Sequence, residues 1–197
     1  SRTMLNGIED YSVIGNCETL ALVGRDGSID WLGMPRFDSA ACFAALLGDS
    51  CHGRWLMSPS APTTKVTRRY RGDTLILETQ FETTEGAVSV IDFMSRRDGC
   101  SDLIRLVRGI RGRVAMRTEL VVRFEYGNVV PWVARQKEGY LHFTAGPDRL
   151  SLHSAVKLRG QGHRSVGEFL LGAGEEVSFT LSYSPSFLLP PVPPDAA

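Results

Sequence analysis

Six carboxylates fall within the first 40 residues, Glu9, Asp10, Glu18, Asp26, Asp30 and Asp38, mingled with Trp31, Arg36 and Phe37. Carboxylates and aromatics in one segment are the raw material of glycoside chemistry. Cleaving a glycosidic bond takes two carboxyl groups set across the sugar, one to protonate the leaving oxygen and one to act as base or nucleophile. Trp31, Arg36, Phe37 and Asp38 could form a rim that stacks on a pyranose face and holds a hydroxyl, or a flat surface for a neighbouring domain. The plainer assignment makes Asp26 and Asp30 turn and strand-end residues, lets Asp38 and Ser39 cap a helix, and puts the aromatics in the core.

Other chemistries find less support. Gly160-Gln161-Gly162-His163-Arg164-Ser165 lacks the third glycine and the βαβ context of a dinucleotide loop, and reads as a loop. Ser165 in His163-Arg164-Ser165-Val166-Gly167 is not preceded by the glycine of a nucleophile elbow. His52, His142, His153 and His163 are scattered singly, although His142 and His153 could face each other across a hairpin. Cys17, Cys42, Cys51 and Cys100 are separated by 25, 9 and 49 positions. Those gaps fit neither a redox pair nor a zinc site, so we expect reduced thiols, no metal and no cofactor.

The elements that must position these residues are strands. Period-two alternation dominates: Val177, Phe179, Leu181 and Tyr183 oppose Ser178, Thr180 and Ser182, and residues 113–126 set Val114, Met116, Leu120, Val122, Phe124 and Tyr126 against arginines and glutamates. Residues 74–82 and 87–94 read as a hairpin, and further strands are predicted at 11–15, 19–24, 28–33, 53–58, 65–71, 102–111, 140–145, 148–154 and 165–171. Arg25-Asp26-Gly27 joins two of them as a tight turn. One short helix is predicted over residues 39–48, with Ser39 as N-cap, Phe43, Leu46 and Leu47 on one face and Gly48 as the stop. The expected fold is all-β, a two-sheet antiparallel sandwich with that single α-helix.

The chain has 197 residues, with 22 Lys plus Arg balancing 22 Asp plus Glu. A phosphate-neutralising protein needs a basic excess, so nucleic acid is not an expected partner. No stretch approaches the roughly 18 uncharged apolar residues of a membrane span. Neither a signal peptide nor an Asn-x-Ser/Thr sequon occurs, and the expected location is cytoplasmic. Pro185, Pro190, Pro191, Pro193 and Pro194 mark residues 185–197 as a linker or tail after a domain of residues 1–184.

The run Ile8-Glu9-Asp10-Tyr11-Ser12-Val13-Ile14-Gly15-Asn16-Cys17-Glu18-Thr19-Leu20-Ala21-Leu22-Val23, continued by Gly24-Arg25-Asp26-Gly27-Ser28-Ile29-Asp30-Trp31, resembles the start of bacterial glycoside hydrolase family 15 proteins, the glucoamylase and trehalase group. The likeness continues through Met34-Pro35-Arg36-Phe37-Asp38-Ser39, Arg68-Arg69-Tyr70 and Asp92-Phe93-Met94, and as strand pattern to about residue 184. Asn16 and Gly33 are small departures. The resemblance implies a supersandwich that precedes an α/α catalytic barrel and packs against it. It carries no catalytic residue onto this chain, because the family's catalytic glutamates lie on barrel loops. The expected role is therefore non-catalytic support of an α-glucoside hydrolase, with the barrel as partner, an α-glucoside as a possible contact of the Trp31–Ser39 segment, and self-association through an apolar face. A free-standing carbohydrate-binding module is the competing expectation.

Overall fold

In a computed structural model the chain is an antiparallel all-β protein, described over residues 7–36, 38–97, 100–136 and 139–189. Fifteen strands are found among the described residues. They form two sheets that share one strand, β9, running 22 residues from Cys100 to Val121. Its first half lies between β8 (Gly86–Arg97) and β15 (Glu176–Pro185), and its second half between β5 (Arg54–Pro59) and β14 (Arg164–Gly172).

From the second half, one sheet continues through β5 to β3 (Ser28–Gly33), β2 (Leu20–Gly24) and β1 (Tyr11–Gly15), with β4 (Ala41–Phe43) beside β3. On its other side β14 pairs with β13 (Arg159–Gln161). From the first half, the other sheet continues through β8 to β7 (Leu77–Glu82) and β6 (Lys65–Tyr70). Its opposite wing runs from β15 to β12 (Asp148–Ser154), β11 (Tyr140–Ala145) and β10 (Trp132–Arg135).

The alternation read from the sequence is what makes these sheets face each other. Leu103 and Val107 on β9, Val88 and Val90 on β8, and Phe179 and Leu181 on β15 meet Ile29, Trp55 and Met116 of the other sheet in one buried core. Rings cross the gap directly: Trp55 meets Phe179 edge-on at 6.2 Å, and Phe169 meets Phe179 at 5.6 Å. Where β9 passes from one sheet to the other, Gly109 donates its N–H to the Glu175 carbonyl and accepts from Gly174. A Cβ on Gly109 would stand 1.9 Å from the Gly172 oxygen, so only glycine fits this backbone contact.

The expected helix at 39–48 is absent, and the segment folds as β4 followed by short 3-10 turns at Ala45–Leu47 and Ser50–His52. The reason is burial on every side. Ala41, Cys42, Phe43, Ala44 and Ala45 are all buried in succession, which suits an extended segment paired with β3 and not a helix with one wet face. Ser39 does not cap forwards; its hydroxyl accepts from the Arg36 N–H at 3.2 Å. The two strands predicted at 102–111 and 113–126 are one strand ending at Val121, and β4, β10 and β13 are additions. Gly160 to Ser165, expected as a loop, is a hairpin in which Gln161 pairs with Arg164. Residues 190–197 of the predicted tail lie outside the described residues.

One charged side chain sits at the centre of the core. Arg105 on β9 is fully buried, as is Asp92 on β8 opposite it. Its Nε and Nη2 donate to Asp92 at 2.8 and 3.2 Å, its Nη1 to the Trp55 carbonyl at 2.7 Å, and its Nη2 to the Gly27 carbonyl at 2.7 Å. The guanidinium carbon also lies 5.3 Å from the Trp55 ring centre. Gly27, at φ +85°, turns the β2–β3 hairpin, and a Cβ there would meet the Met57 oxygen at 2.2 Å. Arg105 thus ties β8 and β9 of one sheet to β5 and the β2–β3 turn of the other. Removing one partner of such a buried pair strands a charge and costs about 3–5 kcal/mol. Asp92→Asn and Arg105→Met are each expected to lower unfolding free energy by about that amount in urea titrations, with the double variant losing less than the sum of the two.

Candidate functional site

Trp31 leaves β3 on the side of the loop that follows β9. It is half-buried, and its ring lies 6.1 Å from that of Tyr126 at 40°. Tyr126 is 46% exposed and held by an unusual backbone: Glu125 and Tyr126 are both left-handed, at φ 51° and 57°, and Gly127 follows at 97°. Left-handed non-glycine residues store strain that the surroundings must hold. Here the Tyr126 N–H donates to the Ala41 carbonyl at 3.2 Å, and Phe124 and Val129 bridge the loop base. The outcome is a tilted aromatic pair on the surface.

The other predicted site residues do not join it. Arg36 and Asp38 close on each other, with Nε–Oδ1 at 2.9 Å and Nη2–Oδ2 at 3.3 Å, and both side chains are more than half exposed. Among the described residues, no hydrogen bond or ring contact links either to Trp31. Phe37 lies outside the described residues. Asp30 is buried, its Oδ2 accepting from the Tyr11 hydroxyl and its Oδ1 from Ser28, each at 2.5 Å. Those bonds occupy both oxygens and make Asp30, inside β3 and not at its end, a strut between β1 and β3. Asp26 likewise accepts from the Ser28 N–H within its turn.

Sequence reasoning missed Tyr126, which it placed on the apolar face of the strand. The Gly127-Asn128 pair, a turn signal, is the clue that the strand has already ended there. It also missed a concentration of arginines around Glu119 on β9. Glu119 accepts from Arg54 at 2.9 Å, Arg117 at 3.2 Å and Arg164 at 3.4 Å. Burial would raise its pKa, but the bonds from Arg54 and Arg117 and the nearby charges outweigh it and hold the carboxyl below its ordinary value.

Two of the histidines and one of the thiols are held in the sheet packing. His142 faces Ser151 across β11 and β12, with Nδ1 and Oγ 2.8 Å apart, and the Tyr140 ring lies 6.1 Å from His142 and 4.7 Å from His153. Burial, helped by the Arg149 charge, lowers the His142 pKa. All four cysteines are free thiols. Burial, with Asp148 nearby, pushes Cys42 up to about 12. Among the described residues no group of three or more His, Cys, Asp or Glu gathers to hold a metal, and no helix is long and apolar enough to cross a membrane.

The relatives of the chain say which class of domain this two-sheet sandwich belongs to. The family described as trehalase-like, N-terminal, matches residues 3–158, and the chain belongs to that family. It is 29% identical over 203 aligned positions to a trehalase of Mycolicibacterium smegmatis, covering 90% of this chain and 30% of that protein. To trehalase 1 of Sulfolobus acidocaldarius it is 31% identical, covering 68% of this chain and 22% of the relative. A trehalase of Thermoplasma volcanium is 26% identical over 81% of this chain. The chain therefore spans less than a third of the length of these relatives and corresponds to a partial, N-terminal region.

Two consequences follow for the titratable groups. A thiol held protonated and out of solvent does not alkylate, so iodoacetamide on the native protein is expected to label the exposed Cys17 and Cys51 and spare Cys42, which reacts only after denaturation; peptide mass mapping reads the pattern. His142 is kept neutral by the fold and takes up a proton more readily when unfolded. Its contribution to stability is thus complete above the ordinary imidazole pKa of about 6.5 and is lost as pH falls through that value towards the lower folded one. The fall in urea midpoint between about pH 7.5 and 5.5 should be shallower in His142→Asn than in the natural protein.

Proposed function

We propose that the chain is the non-catalytic N-terminal sandwich of an α-glucoside hydrolase of the trehalase and glucoamylase group, glycoside hydrolase family 15, acting in the cytoplasm. In this reading it packs against a C-terminal α/α-barrel of the same polypeptide, and the barrel carries the catalysis. The observation that carries it is the pairing of a family match over residues 3–158 with trehalase relatives of which the chain spans 22–30%. The surface supports it. Val130 and Val133 are half exposed and Trp132 is 86% exposed in one short stretch, an apolar face of the sort that a neighbouring domain covers or that makes an isolated domain self-associate. Asp30 supports it too, being a buried strut and not a presented acid or base.

The aromatic pair of Trp31 and Tyr126 favours a second reading, direct sugar contact, either at the mouth of the barrel or as a free-standing binding module. An exposed aromatic face stacks on the apolar face of a pyranose without needing a pocket.

The 197-residue chain alone is expected to release no glucose from trehalose or maltose, while a polypeptide continued into a barrel does so. Glucose release by the chain alone that Asp30→Asn and Asp38→Asn together abolish would overturn the scaffold reading. Calorimetric titration with trehalose separates the two roles: a scaffold gives no saturable heat, and a sugar-binding surface gives heat that Trp31→Ala removes.

A further inference from the structure

Between the β9–β10 connection, residues 122–131, and the β13–β14 hairpin lies a cavity of about 110 Å³. Arg123, His163 and Arg164 line it together with Val130, Pro131 and Phe143. Arg123 is 8% exposed, yet among the described residues no carboxylate pairs with it. Its Nη1 donates to the carbonyls of Val122 at 2.7 Å and His163 at 3.4 Å. Among the described residues, no acceptor is found for Nε and Nη2.

Those two nitrogens form the straight edge of the guanidinium, whose spacing matches the two oxygens of a carboxylate. Among the described residues, Arg105 and Arg36 use that edge on both oxygens of a carboxylate. Arg105 sets Nε and Nη2 on Asp92 while its Nη1 holds a carbonyl, and Arg36 sets Nε and Nη2 on Asp38. Arg123, which lines the cavity, holds carbonyls through Nη1 as Arg105 holds one, and among the described residues no carboxylate takes up its Nε and Nη2 edge. Burial lowers its pKa, the Cys51 thiol opposes that, and the positive charge of Arg164 adds to it, so an anion bound here would favour the charged guanidinium.

The volume sets the size of the ligand. Pockets for drug-sized ligands run to roughly 300–1,000 Å³, so this one takes a small ion and not a disaccharide. Its apolar wall sets the chemistry, since a fully hydrated inorganic anion gains nothing from Val130, Pro131 and Phe143, whereas a short hydrocarbon does.

We propose that this cavity binds a short-chain organic carboxylate, its two oxygens on the Nε/Nη2 edge of Arg123 and its hydrocarbon part against Val130, Pro131 and Phe143. The site is separate from the aromatic pair and does not depend on the trehalase-type reading.

The test is titration of the protein with butyrate, acetate and inorganic phosphate at constant ionic strength, read by calorimetry and by the Arg123 Nε–H signal in NMR. Butyrate is expected to bind saturably, more tightly than acetate or phosphate, and to shift that signal. Arg123→Lys keeps the charge but loses the fork, and should weaken butyrate binding by about tenfold or more, the value of a charge-assisted bond pair. If thermal unfolding shows that this variant does not fold, Arg164→Gln, on a half-exposed residue, should weaken binding several-fold while the protein stays folded. An Arg123 signal unmoved by any of the three anions, phosphate bound as tightly as butyrate, or undiminished binding by a folded Arg123→Lys would each overturn the proposal.

Discussion

The Arg105 guanidinium holds the two sheets in register. A charge without solvent is tolerable only if its donors are met in good geometry, and Asp92, Trp55 and Gly27 meet them from two strands and a turn at once. Hydrophobic contact between sheets is non-directional and would allow them to slide. A fixed fork on fixed carbonyls does not. The β2–β3 turn, β5 and β8 must therefore sit where Arg105 places them. Gly27 is needed because its carbonyl serves Arg105 and the Met57 N–H in a turn where a side chain would strike the Met57 oxygen.

The shared strand β9 works with that clamp. A strand of 22 residues that pairs four others gives one continuous backbone to both sheets, and the crossing is marked by Gly109 against the β14–β15 turn. Everything proposed for the surface hangs from its far end. The loop after Val121 carries Arg123, Tyr126 and Val130 within a few residues, so the aromatic pair and the arginine cavity are neighbours in chain and both are positioned by where β9 stops.

Much of the strand layout was legible because alternation is a local property: a strand with one face in the core writes its period into its own residues. β1, β3, β11 and β12 have the predicted bounds. The 39–48 segment misled because helix propensity and a cap-like serine describe an isolated peptide, whereas the segment is buried on all sides next to β3. Arg36 and Asp38 were legible as polar residues, but their pairing with each other was not, since local partner choice depends on a turn whose shape tertiary contacts decide.

By itself, then, the sequence determined the all-β class, most strands, the Gly27 turn and, through the run from Ile8 to Trp31, the family. Each is carried by residues close together in the chain. Only the tertiary structure decided that Arg105 is buried between sheets, that Asp30 is a strut, that Tyr126 meets Trp31, and that Arg123 faces a cavity without a carboxylate. These facts join residues many positions apart, as Arg105 and Gly27 are, and no local period records which distant carbonyl will face a given side chain when the sheets close.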